Sequence, residues 1–312
     1  SGSCEIEGFP MPYADWTESG QPAAYADSYG SLTCVDPGAT FETTLDGPYA
    51  TVEDTCGPLL ETGECGGPLR LGVKAGENCD VALGASPGNT AAARTAYYHV
   101  NRVNEVARFY NPSNSWLNGQ VRIHTNWDQT CNASYGGGGI YLYRSGTSWA
   151  ECANSGEIEG IIVHEWGHGY DFNDGGGEDN TSEAYGDLVS MLASRGSCFG
   201  PGLFTDGRVC SGYGDTCLTC TGFRDHDWAA RQANTPATPQ EFVLNNCGTG
   251  TGPCGGIVHC ETYPIVESIY DLATRDLPAS GMDVDSAWQL VERLWYFCLL
   301  YTSDAADEVV PV

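Results

Sequence analysis

The stretch His164-Glu165-Trp166-Gly167-His168 follows the apolar run Ile161-Ile162-Val163 and sets two imidazoles four residues apart. On a helix that spacing stacks both rings on one face, one turn apart, where both reach the same metal ion. A glutamate beside the first histidine is then a base for water activated at that ion. Hydrolytic zinc sites use three protein ligands and keep a fourth position open, so a third ligand is expected downstream. Two carboxylates compete for the role. Glu183 lies in Ser182-Glu183-Ala184-Tyr185-Gly186-Asp187, where Glu183 and Asp187 are four apart and share a helical face. There the glutamate ligates and the aspartate accepts the outer N–H of a ligand histidine, which fixes the ring. Asp174, ten residues after His164, is the rival ligand.

These groups need rigid elements to hold them. Asn154 or Ser155 caps the helix that carries the histidines, with Glu157 and Glu159 in its first turn. Its strongly apolar content predicts burial. Thr181 or Ser182 caps a second helix running to about Ser194. Ahead of them the pattern predicts a helix from Ala91 to about Tyr110, stopped by Asn111-Pro112. Val121 to His124 and Ile140 to Tyr143 read as strands, as do Thr40 to Leu45 and Tyr49 to Val52, with Asp46-Gly47-Pro48 as a turn. Gly196 to Cys260 is rich in Cys, Gly and Thr and is expected to be mostly loop. Helical periodicity returns over Ile265 to Ala273 and Ser286 to Phe297.

The totals bound what these elements serve. The chain has 312 residues and a net charge of −28, from 13 basic and 41 acidic side chains. That balance argues against a nucleic-acid partner, whose phosphates require Lys and Arg. Fifteen cysteines suit an oxidising compartment, and no run of about 18 apolar residues predicts a membrane span. Cys217-Leu218-Thr219-Cys220 is expected in disulfides, since no second Cys-x-x-Cys completes a zinc site. Asp171, Asp174, Glu178 and Asp179 form either a calcium site or a solvated acidic loop. The oligomeric state is not readable.

From about Thr95 to Phe297 the chain resembles the thermolysin-like and fungalysin-like metallopeptidases of the gluzincin clan. The histidine motif and the downstream Glu-x-x-x-Asp carry the resemblance, with four further phrases. These are Tyr97-Tyr98-His99-Val100-Asn101-Arg102, Asn132-Ala133-Ser134-Tyr135 before a strand, Gly222-Phe223-Arg224-Asp225, and Ile257-Val258-His259 before a helix. The resemblance implies an α+β zincin domain: a mixed sheet lobe and a helical lobe with the active-site helix between them. It implies one catalytic zinc on His164, His168 and Glu183, with Asp187 orienting a ligand histidine and Glu165 as general base. His259 then stabilises the oxyanion, Arg224 contacts a substrate carbonyl, and Asn132 and Ala133 pair with the substrate backbone as an added strand. The implied function is a secreted zinc endopeptidase acting on proteins or peptides. A binding or adhesion protein that keeps the fold without turnover is the alternative, and the intact Glu165 speaks against it.

The chain departs from the family pattern in places. Cys254 stands where an acidic partner of the oxyanion histidine is usual, and the gap from His168 to Glu183 is short. The clan that would use Asp174 wants glycine where Asp171 stands. Three segments are expected: a Cys- and Gly-rich β unit over 1–90, accessory or propeptide-like; the peptidase domain over 91–297, truncated at its C-terminus; and a non-native tail over 298–312. The tail is expected because Cys298 to Glu308 resembles a translated sequencing-library adapter. Because the chain opens on Ser1-Gly2-Ser3 without Met, it is expected to be a fragment or a processed form.

Overall fold

A computed structural model describes residues 25–26, 32–33, 40–43, 45–59, 61–64, 91–174, 182–210, 216–227, 240 and 258–307. It is a mixed α/β structure that divides into two compact units. The first comprises 1–106 and 115–162, and the second 107–114 and 163–312. The division therefore does not fall at the boundary expected near residue 90.

The first unit holds a mixed four-stranded sheet in the order β4-β6-β8-β7, made of Ala50–Asp54, Val121–Thr130, Gly139–Arg144 and Ala133–Gly136. β4, β6 and β8 run parallel, and β7 returns antiparallel to β8 along the edge. β4 comes from the segment expected to stand apart, yet it is hydrogen-bonded into this sheet. Alternation sets its faces: Val121, Ile123 and Thr125 are buried, whereas Arg122 is exposed. Shorter pairs join β1 (Tyr25–Ala26) to β2 (Leu32–Thr33), β3 (Thr40–Thr43) to β5 (Glu61–Glu64), and β9 (Gly146–Thr147) to β10 (Glu151–Cys152).

β6 is longer than its predicted core because Asn126 breaks the register within it. Asn126 adopts φ 53°, a conformation that asparagine tolerates better than most residues. Its amide nitrogen donates to both Asp54 oxygens at 3.0 and 3.1 Å. Its side-chain oxygen accepts from Asn154 at 2.7 Å, and its carbonyl accepts from Arg144 Nε at 2.7 Å. One buried asparagine thus ties β4, β6 and β8 to the turn before the histidine helix. The Cys131–Cys152 disulfide closes the same segment.

Two helices cross the division in sequence. α1, Ala91–Tyr110, matches its predicted bounds and buries Ala92, Ala96, Tyr97, Val100, Val103 and Ala107. α2, Glu159–Asn173, is shielded nearly all round: Ile161, Ile162, Val163, Trp166 and Tyr170 are buried. The expected cap acts one turn early. Asn154 accepts from the Gly156 amide and caps a short 3-10 turn over Ser155–Glu157, after which α2 begins. At the other end Asn114 donates to the last carbonyl, that of Asn173, at 2.7 Å.

The second unit packs α3, Ser182–Ser194, with α4, Thr262–Asp271, and α5, Val284–Asp307. Ala184, Leu188, Met191, Leu192, Val266, Ala273, Trp288 and Val291 make one core cluster there. A π-helical turn over Leu272–Asp276 follows α4, and Asp283 caps α5 by accepting from the Ser286 amide at 2.9 Å. The region expected to be loop contains a two-stranded ribbon, β11 Cys198–Phe199 against β12 Arg224–Asp225. Disulfides Cys198–Cys220 and Cys210–Cys217 staple it, so each cysteine of the Cys-x-x-Cys pair bonds elsewhere. No helix among the described residues is long and apolar enough to cross a membrane.

Candidate metal centre

All the groups of this centre belong to the second unit. α2 presents His164 and His168 with ring centroids 4.6 Å apart and planes nearly perpendicular. α3 brings Glu183 to them: Oε2 lies 3.4 Å from His164 Nε2, and Oε1 lies 3.7 Å from His168 Nε2. One ligand atom from each of the three residues falls within 4.8 Å of the others. A tetrahedral ion with bonds of about 2.0–2.1 Å needs ligand atoms about 3.3 Å apart. The separations of 3.4 and 3.7 Å are close to that edge, so the donor set fits an ion of this size. This is the group among the described residues able to hold a metal, and Asp174 is not in it. Asp174 instead accepts from the Tyr185 hydroxyl at 3.3 Å. Of the acidic loop, Asp171 is buried and part of α2, while Glu178 and Asp179 lie outside the described residues.

Two glycines allow this convergence. A Cβ on Gly167 would lie 2.8 Å from the Gly186 Cα, so α2 and α3 touch backbone to backbone. A Cβ on Gly186 would lie 2.7 Å from His164 Nδ1, so that ring rests directly on the glycine. Replacing Gly186 by Ala is expected to push His164 aside. The overpacking should cost about 1–3 kcal/mol in a urea melt. Bound metal, measured by elemental analysis after gel filtration, should fall well below the wild-type level.

The outer ring nitrogens are also held. His164 Nδ1 lies in ion-pair contact with Asp187 Oδ1 at 2.9 Å, and His168 Nδ1 meets the Ser182 hydroxyl at 3.0 Å. Ser182, expected only as a helix cap, therefore turns its hydroxyl towards one of the two histidines of the candidate centre. With both Nδ1 atoms occupied, both Nε2 atoms are left to face Glu183.

Asp187 is fully buried and anchors the centre. Arg224 forks onto it, Nε to Oδ2 at 2.7 Å and Nη2 to Oδ1 at 2.6 Å. His226 Nε2 adds a third partner at 3.0 Å from Oδ2. Arg224 was expected on a substrate carbonyl; instead it is 1% exposed, bound to Asp187, with its guanidinium 4.5 Å over the Phe199 ring. Phe199 in turn lies 4.6 Å from the His164 ring. His226 was not singled out by the sequence. Alternate residues of an extended segment share a face, but the two-residue strand Arg224–Asp225 is too short to announce it.

Glu165 sits on α2 beside the ligands, 6% exposed, and burial pushes its carboxyl up to about 7. His259, in a short turn over Val258–Glu261, brings Nε2 to 3.2 Å from Glu183 Oε2. Its side chain is 32% exposed, unlike the buried His226, so it faces solvent at the rim. Cys254, where the acidic partner was missed, lies outside the described residues. Asn132 is exposed, and the buried Ala133 opens the sheet-edge strand β7; both belong to the first unit.

The electrostatics suit a cation. Burial opposes a charge on His164, but hydrogen bonds to Asp187 and Glu183 outweigh it and raise the ring to about 10. Burial likewise works against the Glu183 carboxylate, yet the His164 bond and the charges of His164, His259 and Arg224 lower it to about 2. Burial, reinforced by the His164 charge, drops His168 to about 4. Burial and the Arg224 charge do the same to His259. A metal bound here would take the place of the His164 Nε2 proton between the imidazole and the carboxylate. Neither the protein-family models nor the curated protein sequences give a match to this chain, so the reading of the centre rests on its own residues.

Proposed function

We propose that the chain is a zinc-dependent endopeptidase of the gluzincin type. One observation carries the reading: His164, His168 and Glu183 converge on a common point, with a buried glutamate on the same helix that is not one of the three. The resemblance of the histidine motif and of Glu183-x-x-x-Asp187 to that clan supports it. So does the mixed sheet with its antiparallel edge strand, which suits the proposed zincin fold. The disulfides support export to an oxidising compartment.

Bound zinc would supply a Lewis acid that polarises a carbonyl and lowers the pKa of water from ~15.7 towards ~7. The protein's own groups then divide the remaining work. Glu165 takes the proton of the attacking water and returns it to the leaving amine nitrogen. His259, at the rim, donates from its ring to the developing oxyanion. Asp187 keeps His164 in place, and Arg224 keeps Asp187 charged and fixed.

The choice of third ligand is tested by zinc content. Glu183→Ala should bring the stoichiometry from one ion per chain to near zero after dialysis, and Asp174→Ala should leave it at one. The opposite pattern would move the chain to another zincin clan.

A further inference from the structure

We propose that His226 is a positioning residue, which locks the Asp187 carboxylate so that Oδ1 stays aimed at His164 Nδ1. The proposal rests on the reading of His164 as a metal ligand. A carboxylate offers about four lone-pair sites, and four nitrogens lie within 3.0 Å of the Asp187 oxygens, two of them hydrogen-bonded from Arg224 and two in ion-pair contact from the histidines. Oδ1 takes His164 Nδ1 at 2.9 Å and Arg224 Nη2 at 2.6 Å. Oδ2 takes Arg224 Nε at 2.7 Å and His226 Nε2 at 3.0 Å. Three of these four contacts follow from the ligand, its aspartate and one arginine. The His226 contact completes the set.

The anchor on His226 is independent of Arg224. Its own amide donates to the Ser197 carbonyl at 2.8 Å, just past the end of α3. Its ring lies 5.5 Å from that of Tyr263 on α4. Residues 224 and 226 stand two apart at the ribbon end, and both side chains reach the same carboxylate. Arg224 alone fixes the plane of the carboxylate. His226 fills the remaining site on Oδ2, so the guanidinium is not drawn across to cover it and Oδ1 keeps its line to His164. The imidazole Nε2 that faces Glu183 is thereby held in direction.

Two variants test this. His226→Leu removes the donor and keeps an apolar filling, and His226→Gln keeps a donor. Zinc affinity is read by competition with a chromophoric chelator. The His164 Nδ1 proton is read in the metal-free protein by nitrogen-edited NMR, and folding by near-ultraviolet circular dichroism. The Leu variant should bind zinc about 10- to 100-fold more weakly, with faster solvent exchange of the His164 Nδ1 proton. The Gln variant should restore both. Wild-type affinity and an unmoved resonance in the Leu variant would overturn the proposal. So would a Gln variant that fails to restore them, because His226 would then act through packing alone. If the Leu variant does not fold, the Gln variant decides by the same two readings. A wild-type chain that takes up no zinc would defeat the peptidase reading, while the NMR comparison would still judge His226.

Discussion

Glu165→Gln should leave zinc bound at one ion per chain and remove peptide hydrolysis. The substitution is isosteric, and Glu165 is not among the three converging ligand residues. Its side chain is buried, so no exposed carboxylate stands ready to replace it at that position. General acid–base catalysis by a placed side chain contributes about 10²–10⁴-fold, and the loss of kcat should be at least of that order. KM should change little, because the glutamate acts on water and leaving group rather than on substrate affinity. A fluorogenic peptide assay with parallel zinc analysis checks both halves. Undiminished cleavage by this variant would remove Glu165 from the mechanism.

Asp187→Ala should be the most destabilising single change in the second unit. It strands Arg224, 1% exposed, without the carboxylate that neutralises it, and takes from the equally buried His226 its contact at 3.0 Å. Breaking a buried pair by removing one partner costs about 3–5 kcal/mol, against a total stability of about 5–15 kcal/mol for a domain. The pair Arg195–Asp285 is the contrast. Its nitrogen–oxygen distance is 2.8 Å, but its side chains are 42% and 82% exposed. Asp285→Ala should change stability by no more than about 1 kcal/mol. Urea melts of the two variants measure the difference. Equal melts would mean that the Asp187 cluster does not hold the unit together.

The parts that were legible in the sequence are those whose signals are local. α1 is delimited by alanine-rich periodicity and the Asn111-Pro112 stop. The helices carrying His164 and Glu183 are announced by spacing and by apolar content; spacing gives the two histidines and leaves Glu183 and Asp174 as rivals, between which the resemblance chooses. The parts that were not legible depend on partners distant in sequence. β4 looks like an N-terminal strand until it pairs with β6 some 70 residues later. A two-residue strand such as Arg224–Asp225 has no periodicity to detect. Gly167 and Gly186 read as weak helix formers, and only the contact between α2 and α3 explains them. The resemblance puts Arg224 on a substrate carbonyl; its burial on Asp187 is a tertiary fact. His226 was invisible for the same reason.

The most direct test of the peptidase reading is casein hydrolysis by one preparation carried through chelation and reloading. Stripping the protein with a chelator should abolish cleavage, and one equivalent of zinc should restore it, with no further gain from a second equivalent. Cleavage that survives stripping, or a chain reloaded with one zinc that still leaves casein intact, would contradict the account.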